Sequence, residues 1–175
     1  MDITIEGSDK NPGMTNVMRC VGTKQGLLCL LLDVSKGFFP VAFALKTLSP
    51  TYPLFAIVMA APVLGHAFSP ILKGKGGKAI ATTFGTFGGA LLGGSNMFWI
   101  LSIILIVFSV VVVITPHSLR MVVSMITLSV WAIILREPMG FMWGTVLISA
   151  VVIFKHITNF DKEPKKVSLL QFRKR

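Results

Sequence analysis

The sequence predicts an all-α protein, a polytopic integral membrane bundle of about six transmembrane or re-entrant helices. Hydrophobic residues make up 53% of the 175 residues and charged residues only 14%, whereas a soluble domain carries about 25% charged residues. The mean hydropathy is +0.77, and the apolar residues form long stretches separated by short polar segments. So few charged residues cannot cover the surface of a soluble enzyme, and so many apolar residues exclude a disordered chain.

Six apolar segments define the predicted helices. They run from 26 to 48, 53 to 72, 79 to 95, 97 to 115, 121 to 135 and 139 to 154. The third is rich in Gly, Ala and Thr, so a re-entrant segment is an alternative to a full crossing. The last two are shorter than the roughly 20 residues of a span, so they must end close to the interface. We predict one membrane domain, with a motif loop at 1–25, the bundle at 26–154 and a basic tail at 155–175.

The positions of the basic residues support six crossings. If the C-terminal tail is cytoplasmic, counting back places all of the 17 Lys and Arg residues on the cytoplasmic side except Lys36, Lys46 and Arg136. This is the asymmetry described by the positive-inside rule. Without a crossing at 79–95, Arg120 and the tail would fall on the outside. The net charge of +10 therefore indicates membrane orientation rather than a nucleic-acid partner.

Four polar clusters lie on the predicted cytoplasmic side, and the first is the segment 7–19. It is dense in hydroxyl and amide side chains. Pro12 and Gly13 favour a turn, and backbone N–H groups in such a turn can bind an anion. An ordinary polar loop is the simpler interpretation of this cluster on its own.

The second cluster is a pair of charged residues inside the first apolar segment. Asp33 and Lys36 are three residues apart and therefore share a helix face. Ionisable residues within a span are costly and are functional candidates. The alternative is a structural ion pair near the helix end, and a paired Lys36 can also face a water-filled cavity.

The third cluster, at 65–82, holds three lysines within six residues, interleaved with glycines. They are Lys73, Lys75 and Lys78, with Gly74, Gly76 and Gly77. Glycines let the backbone approach an anion, lysines supply charge, and the N-terminus of the following helix attracts anions. The spacing does not fit a Walker A loop. We favour a phosphate site over a positive-inside loop that happens to hold glycine.

The fourth cluster ends the last apolar segment. His156 and Asn159 follow Lys155 there and share one helix face, and His66 ends another segment at the same level. Each histidine alone is more often structural than catalytic. Two histidines at the same depth in the membrane, near an anion-binding loop, favour acid–base or phosphate-binding chemistry.

Motifs for a catalytic nucleophile or a metal are missing from the sequence. No GxSxG turn, zinc-ligand spacing or paired-carboxylate arrangement occurs, and Cys20 and Cys29 form neither a disulfide framework nor a metal site. An enzyme without such groups would act on an anionic substrate by positioning it and by stabilising its negative charge.

Four sequence motifs, taken in order, resemble those of one bacterial family. Residues 11–19 read NPGMTNVMR, 33–41 read DVSKGFFPV, 65–82 read GHAFSPILKGKGGKAIAT, and 155–159 read KHITN. They are similar to the motifs of the acyl-phosphate:glycerol-3-phosphate acyltransferases, the PlsY family. The resemblance spans nearly the whole chain, and the third motif is the most specific.

The resemblance implies a seven-helix acyltransferase of the bacterial cytoplasmic membrane, with its active site facing the cytoplasm. Such an enzyme moves a fatty acyl group from acyl phosphate to the 1-hydroxyl of glycerol 3-phosphate and makes lysophosphatidic acid for phospholipid synthesis. It uses no metal and no cofactor. The implied partners are acyl phosphate, glycerol 3-phosphate, membrane lipids and the enzyme that produces acyl phosphate.

The resemblance also implies the site residues. The catalytic set is Ser8, Arg19 and His156. The substrate-binding set is Asn11, Gly13, Thr15, Asn16, Lys36, Gly37, His66, Lys75, Gly76, Gly77, Lys78 and Asn159.

Within these sets, the phosphate of glycerol 3-phosphate would be held by Arg19, by Lys75 or Lys78, and by His156 and Asn159. The segment from Asn11 to Asn16 would line the acyl-phosphate site, and Lys36 and Gly37 would support the pocket. No side chain serves as a nucleophile, so the glycerol hydroxyl would attack the acyl carbonyl directly.

The chain departs from the family pattern at four places. It begins after the family's first helix. Asp9 stands where the family has Ser, so either Ser8 or Asp9 lines the site. Ile157 replaces the second Arg of the last motif, and the closing Gly-x-Glu is absent.

Two alternative functions follow. The departures favour a catalytically impaired or regulatory relative. A small lipid-phosphate binder or transporter is the other alternative, although the paired repeats typical of transporters are not visible. The tail residues 167–175 would either lie on the membrane or form a disordered basic tail.

Overall fold

The computed structural model describes residues 13–158 and 164–169. Within these residues the chain forms a helical bundle with two short strands. The helices are α1 (Met14–Cys20), α2 (Thr23–Ala44), α3 (Phe55–Ala67), α4 (Ile80–Leu91), α5 (Met97–Ile106), α6 (His117–Ile134) and α7 (Met139–Thr158), and the strands are β1 (Val112–Thr115) and β2 (Lys166–Leu169). Each of the six predicted apolar segments overlaps one of the helices α2 to α7 over most of its length, so the predicted all-α bundle is confirmed.

The end of the fourth segment differs from its prediction as one helix to residue 115. After α5 the chain forms a π-helical turn at Val107–Val111 and then the strand β1. The run of β-branched residues in Val110–Thr115 favours extended backbone, and Pro116 disfavours a helical conformation of the residue before it. Helix α6 then begins at once, at His117, earlier than the predicted residue 121.

The strand β2 pairs antiparallel with β1, with Val112 opposite Leu169 and Thr115 opposite Lys166. The Thr115 hydroxyl also donates to the Lys166 carbonyl at 3.2 Å. The predicted alternative of a disordered tail is therefore wrong for residues 167–169, while residues 170–175 lie outside the described residues.

Helix length divides the bundle into long and short elements. Among the described residues, α2, α6 and α7 are long and apolar enough to cross a membrane. Helices α3 and α4 have 13 and 12 residues, or about 20 and 18 Å at the α-helical rise, against a hydrocarbon core of about 30 Å. His66, at the end of α3, contacts Asp33 in the middle of α2, so α3 ends level with the middle of the longer helix.

Glycines explain why the weakly apolar helix α4 is buried against α2. A Cβ at Gly37 would collide with the Thr82 carbonyl, and one at Gly85 would collide with the Val34 carbonyl. Small residues let two helix backbones approach closely, which is a common basis of helix packing in membranes. On the other side of the core, α3 packs on α7, where the rings of Phe55 and Phe141 meet edge to face at 5.5 Å.

The two ends of the bundle differ in charge. One end, the opposite end, comprises the turns at 45–54, 92–96 and 135–138, with Lys46, Arg136 and Glu137 as its charged residues. The other, the basic end, comprises α1, the starts of α2 and α6, the segment 68–79, the two strands and the end of α7. Its described cations are Arg19, Lys24, Lys73, Lys75, Lys78, Arg120, Lys155, Lys165 and Lys166.

Candidate active site

The centre of the basic end is the Gly–Lys loop, residues 73–79. Its backbone packs directly on the last turn of α3. A Cβ at Gly76 would collide with the carbonyls of His66 and Ala67, and one at Gly77 would collide with the His66 ring. Glycine is therefore required at both positions by close packing. The loop ends at Ala79, whose positive φ of 62° turns the chain into α4.

The lysines of the loop lie in different environments. Lys73 and Lys75 are exposed, whereas Lys78 is buried with 8% of its surface accessible. Lys78 precedes Ala79, the N-cap residue of α4, and no side chain caps that helix. A buried lysine close to an uncapped helix N-terminus favours a phosphate there. The motif resemblance implies either Lys75 or Lys78 as a phosphate-binding lysine, and of the two only Lys78 is buried near the start of α4.

The first turn of α4 adds two buried hydroxyls. The Oγ1 atoms of Thr82 and Thr83 have no hydrogen-bond partner among the described residues. Hydroxyls can donate to an anion or accept from a neighbouring donor. They increase the polarity of the region beneath the Gly–Lys loop.

Lys155 joins α7 to the Gly–Lys loop. Its Nζ donates to the Ala67 carbonyl at 3.0 Å and to the Gly76 carbonyl at 3.1 Å. The ammonium also lies 5.4 Å from the centroid of the Phe68 ring. Sequence reasoning placed Lys155 in a polar cluster but not among the site residues. A signal was present, because it is a cation within an apolar helix and immediately precedes His156.

His156 is fully buried at the end of α7. Its Nδ1 lies 2.7 Å from the Val152 carbonyl. A carbonyl only accepts, so Nδ1 carries the hydrogen and donates. The ring of His117, the first residue of α6, lies 5.9 Å away, centroid to centroid. Sequence reasoning missed His117, although a polar segment directly after a long apolar run was visible. The predicted partner Asn159 lies outside the described residues.

The predicted ion pair within α2 is confirmed and extends to α3. The Lys36 ammonium lies 2.6 Å from Asp33 Oδ1, and His66 Nδ1 lies 3.4 Å from the same oxygen. These three residues line a cavity of about 620 Å³ between α2 and α3, whose apolar wall includes Pro40 and Pro62. Gly37, by contrast, lies at the crossing with α4.

The residues predicted near the start of the chain lie on or before α1. The Gly13 carbonyl accepts from the N–H groups of Asn16 and Val17, which starts the helix. Asn16 is buried, whereas Thr15 and Arg19 are exposed. Helix α1 folds back along the start of α2. Ser8 and Asn11, together with Asp9, lie outside the described residues.

The structure therefore brings together part of the predicted site. His66, Gly76 and Gly77 are in mutual contact, and Lys155 links them to the helix that carries His156. Lys36 joins this group through Asp33. In residues 13–158 and 164–169, no three residues of the types His, Cys, Asp and Glu are grouped to hold a metal ion.

Comparisons with known proteins agree on one family. A family model described as "Glycerol-3-phosphate acyltransferase" matches residues 1–165. The chain is 38% identical over 164 residues to the glycerol-3-phosphate acyltransferase of Solidesulfovibrio magneticus, covering 93% of this chain and 77% of that relative. It is 33% identical over 163 residues to the enzyme of the same name from Endomicrobium trichonymphae, covering 93% and 78%.

Solved structures show the same likeness. The chain is similar to a crystal structure of PlsY (YgiH), an integral membrane glycerol 3-phosphate acyltransferase, in its glycerol 3-phosphate form. The TM-score is 0.74 at 27% identity, covering 91% of this chain and 76% of that one. The lysophosphatidic acid form of the same protein gives a TM-score of 0.69 at 28% identity, covering 89% and 78%.

Proposed function

This chain belongs to the glycerol-3-phosphate acyltransferase family, and on that premise we propose that it is a membrane acyltransferase that makes lysophosphatidic acid with acyl phosphate as the donor. The observation that carries the proposal is the Gly–Lys loop, where Gly76 and Gly77 pack on α3 and Lys78 is buried at the start of α4. A lysine and a helix N-terminus in the same place suit a phosphate dianion, since they combine a cation with backbone N–H groups.

We assign the binding of glycerol 3-phosphate to the basic end. Lys78 and the N-terminus of α4 would hold its phosphate, and Arg19 on α1 would supply a second cation. His156 would contact the same substrate from the end of α7. The acyl phosphate would occupy the space next to α1, lined by Gly13, Thr15 and Asn16.

In the proposed reaction the 1-hydroxyl oxygen of glycerol 3-phosphate forms a bond to the carbonyl carbon of the acyl phosphate. The bond between that carbon and the bridging phosphate oxygen breaks, and inorganic phosphate leaves. The proton of the hydroxyl goes to an oxygen of the departing phosphate. The protein contributes orientation of the two substrates and stabilisation of negative charge, both of which are strong sources of rate enhancement.

We also propose that the basic end faces the cytoplasm of a bacterial cell. The support is the segregation of cations, because the opposite end holds only Lys46 and Arg136 among the described basic residues. Glycerol 3-phosphate is charged and water-soluble, so it would reach this end without crossing the bilayer. An enzyme that makes acyl phosphate would be a natural neighbour there.

A non-catalytic relative is the second candidate, and the identity of residue 157 favours it. Ile157 is exposed beside the buried His156, where the family motif has a cation. A protein of this kind would still bind glycerol 3-phosphate through the Gly–Lys loop but would not turn over.

The test is an acyl-transfer assay with the purified full chain in detergent. Radiolabelled glycerol 3-phosphate is supplied with palmitoyl phosphate or, in a parallel reaction, with palmitoyl-CoA. We expect labelled lysophosphatidic acid only with palmitoyl phosphate. Product from palmitoyl-CoA alone would overturn the donor assignment. Binding of glycerol 3-phosphate by calorimetry without product from either donor would favour the second candidate.

A further inference from the structure

We propose that Lys155 is a positioning residue that sets the affinity for glycerol 3-phosphate by holding the Gly–Lys loop against the end of α3. The inference rests on the proposed function for the identity of the ligand. It assigns Lys155 a task that differs from direct contact with substrate.

The geometry of Lys155 connects three elements that are distant in sequence. Its ammonium, on α7, donates to a carbonyl at the end of α3 and to a carbonyl of the Gly–Lys loop, which lie 88 and 79 residues away. The Ala67 carbonyl belongs to the last turn of α3, where carbonyls lack partners within the helix. A cation at that place satisfies the carbonyl and complements the helix dipole.

The burial of Lys155 indicates that its ammonium group is stabilised by these contacts. Only 7% of the residue is accessible, and a buried ammonium is costly unless it is paired. The two carbonyls and the face of the Phe68 ring provide such an environment. Lys155 is therefore fixed in place, and it fixes Gly76 in turn.

The loop has a second anchor, which separates this role from a general role in folding. Gly76 and Gly77 pack on His66, and His66 contacts the Asp33 carboxylate. Without Lys155 the loop would keep this contact but would lose its bond to α7. We therefore expect a loosened loop in a folded protein.

A loosened loop should affect binding more than chemistry. The residues 75–78 would be ordered only when glycerol 3-phosphate binds, so part of the binding energy would be consumed by ordering the loop. Once the substrate is bound, the reacting groups would have their normal arrangement. The expected signature is a raised KM for glycerol 3-phosphate with little change in kcat.

The experiment compares Lys155→Met, Lys155→Gln, Lys155→Arg and Lys46→Met in the full chain. Lys46 is the matched control, because its ammonium also lies over a phenylalanine ring, Phe43, at 5.1 Å, but at the opposite end. We expect Lys155→Met to raise KM about tenfold, which corresponds to the loss of a hydrogen bond to a charged group. Lys155→Arg should restore KM, since a guanidinium can donate to both carbonyls. Lys46→Met should match the wild type.

Amide hydrogen exchange of the peptide that covers 73–79 provides a readout that does not depend on turnover. It should become faster in Lys155→Met and Lys155→Gln but not in the other two variants. An unchanged KM and unchanged exchange in Lys155→Met would overturn the proposal. So would a loss of kcat at constant KM, or a failure of Lys155→Arg to rescue.

Failure of the proposed function gives a different pattern. The wild type would then show no acyl transfer. Amide exchange of the loop and calorimetric binding of glycerol 3-phosphate would still show whether Lys155→Met loosens the loop and weakens binding. If Lys155→Met does not fold, Lys155→Gln keeps one donor and supplies the same comparison.

Discussion

The segments that connect the helices are held in different ways at the two ends of the bundle. At the opposite end the turns are joined by direct hydrogen bonds: the Gly140 N–H donates to the Pro50 carbonyl at 2.8 Å, and the Asn96 N–H donates to Glu137 at 3.1 Å. At the basic end, the Gly–Lys loop is held by the packing of Gly76 and by the Lys155 ammonium. Direct hydrogen bonds therefore hold the opposite end together, whereas the contacts at the basic end fit the anion-binding role that we propose for it.

The largest effect should come from adding a methyl group to the Gly–Lys loop. Gly76→Ala would drive a Cβ into the carbonyls of His66 and Ala67 and displace the loop. Because a displacement of about 1 Å can lower a rate about 100-fold, we expect kcat/KM to fall by about that factor. The control is Gly88→Ala, where the new Cβ would meet Phe38 at an ordinary contact distance of 3.5 Å. Equal activity of Gly76→Ala and Gly88→Ala would show that the loop is not part of the site.

A smaller effect is expected from the charge alone. Lys78→Met keeps the length of the side chain but removes a buried cation from the start of α4. We expect kcat/KM to fall about 30-fold, within the range of a charge-assisted hydrogen bond of about 1.5–3 kcal/mol. Lys75→Met, which changes an exposed cation of the same loop, should have a smaller effect. A larger loss in Lys75→Met would reverse the assignment of the phosphate-binding lysine.

The smallest effect should come from the opposite end, and it should appear in stability rather than in activity. Glu137→Ala removes the acceptor for the Asn96 N–H and should lower the free energy of unfolding by about 1 kcal/mol. We expect a decrease of a few degrees in Tm in detergent with an unchanged KM. The exposed Lys46→Ala should change neither quantity. A change in KM with Glu137→Ala would mean that the two ends are not independent.

Local patterns were sufficient to predict helices α2 to α7 but not their ends, whereas α1 and the start of α2 lie within the segment 1–25 that was predicted to be a loop. Helices α2 to α7 follow from apolar stretches and from the positions of charged and proline residues, which act over a few residues. The β-branched run at 110–115 favours extended backbone locally. Its partner strand, however, is residues 166–169, about 50 residues away in the chain, and no pattern within residues 97–115 indicates that pairing.

The site shows the same division between local and distant information. The ion pair of Asp33 and Lys36 was predictable because the two residues lie three positions apart on one helix. The contacts of Lys155 and His117 were not, because each joins elements that are distant in the sequence. A composition of glycine and lysine indicates a phosphate site, but it cannot tell which lysine is buried.

Pairing of β1 with β2 makes the number of membrane crossings between them even. Both strands must lie on one side of the bilayer, so α6 and α7 must enter and leave it as a hairpin. The partner strand β2 is synthesised only after α7. During biosynthesis β1 therefore remains unpaired until α7 has been inserted, and only then can the register between β1 and β2 be set.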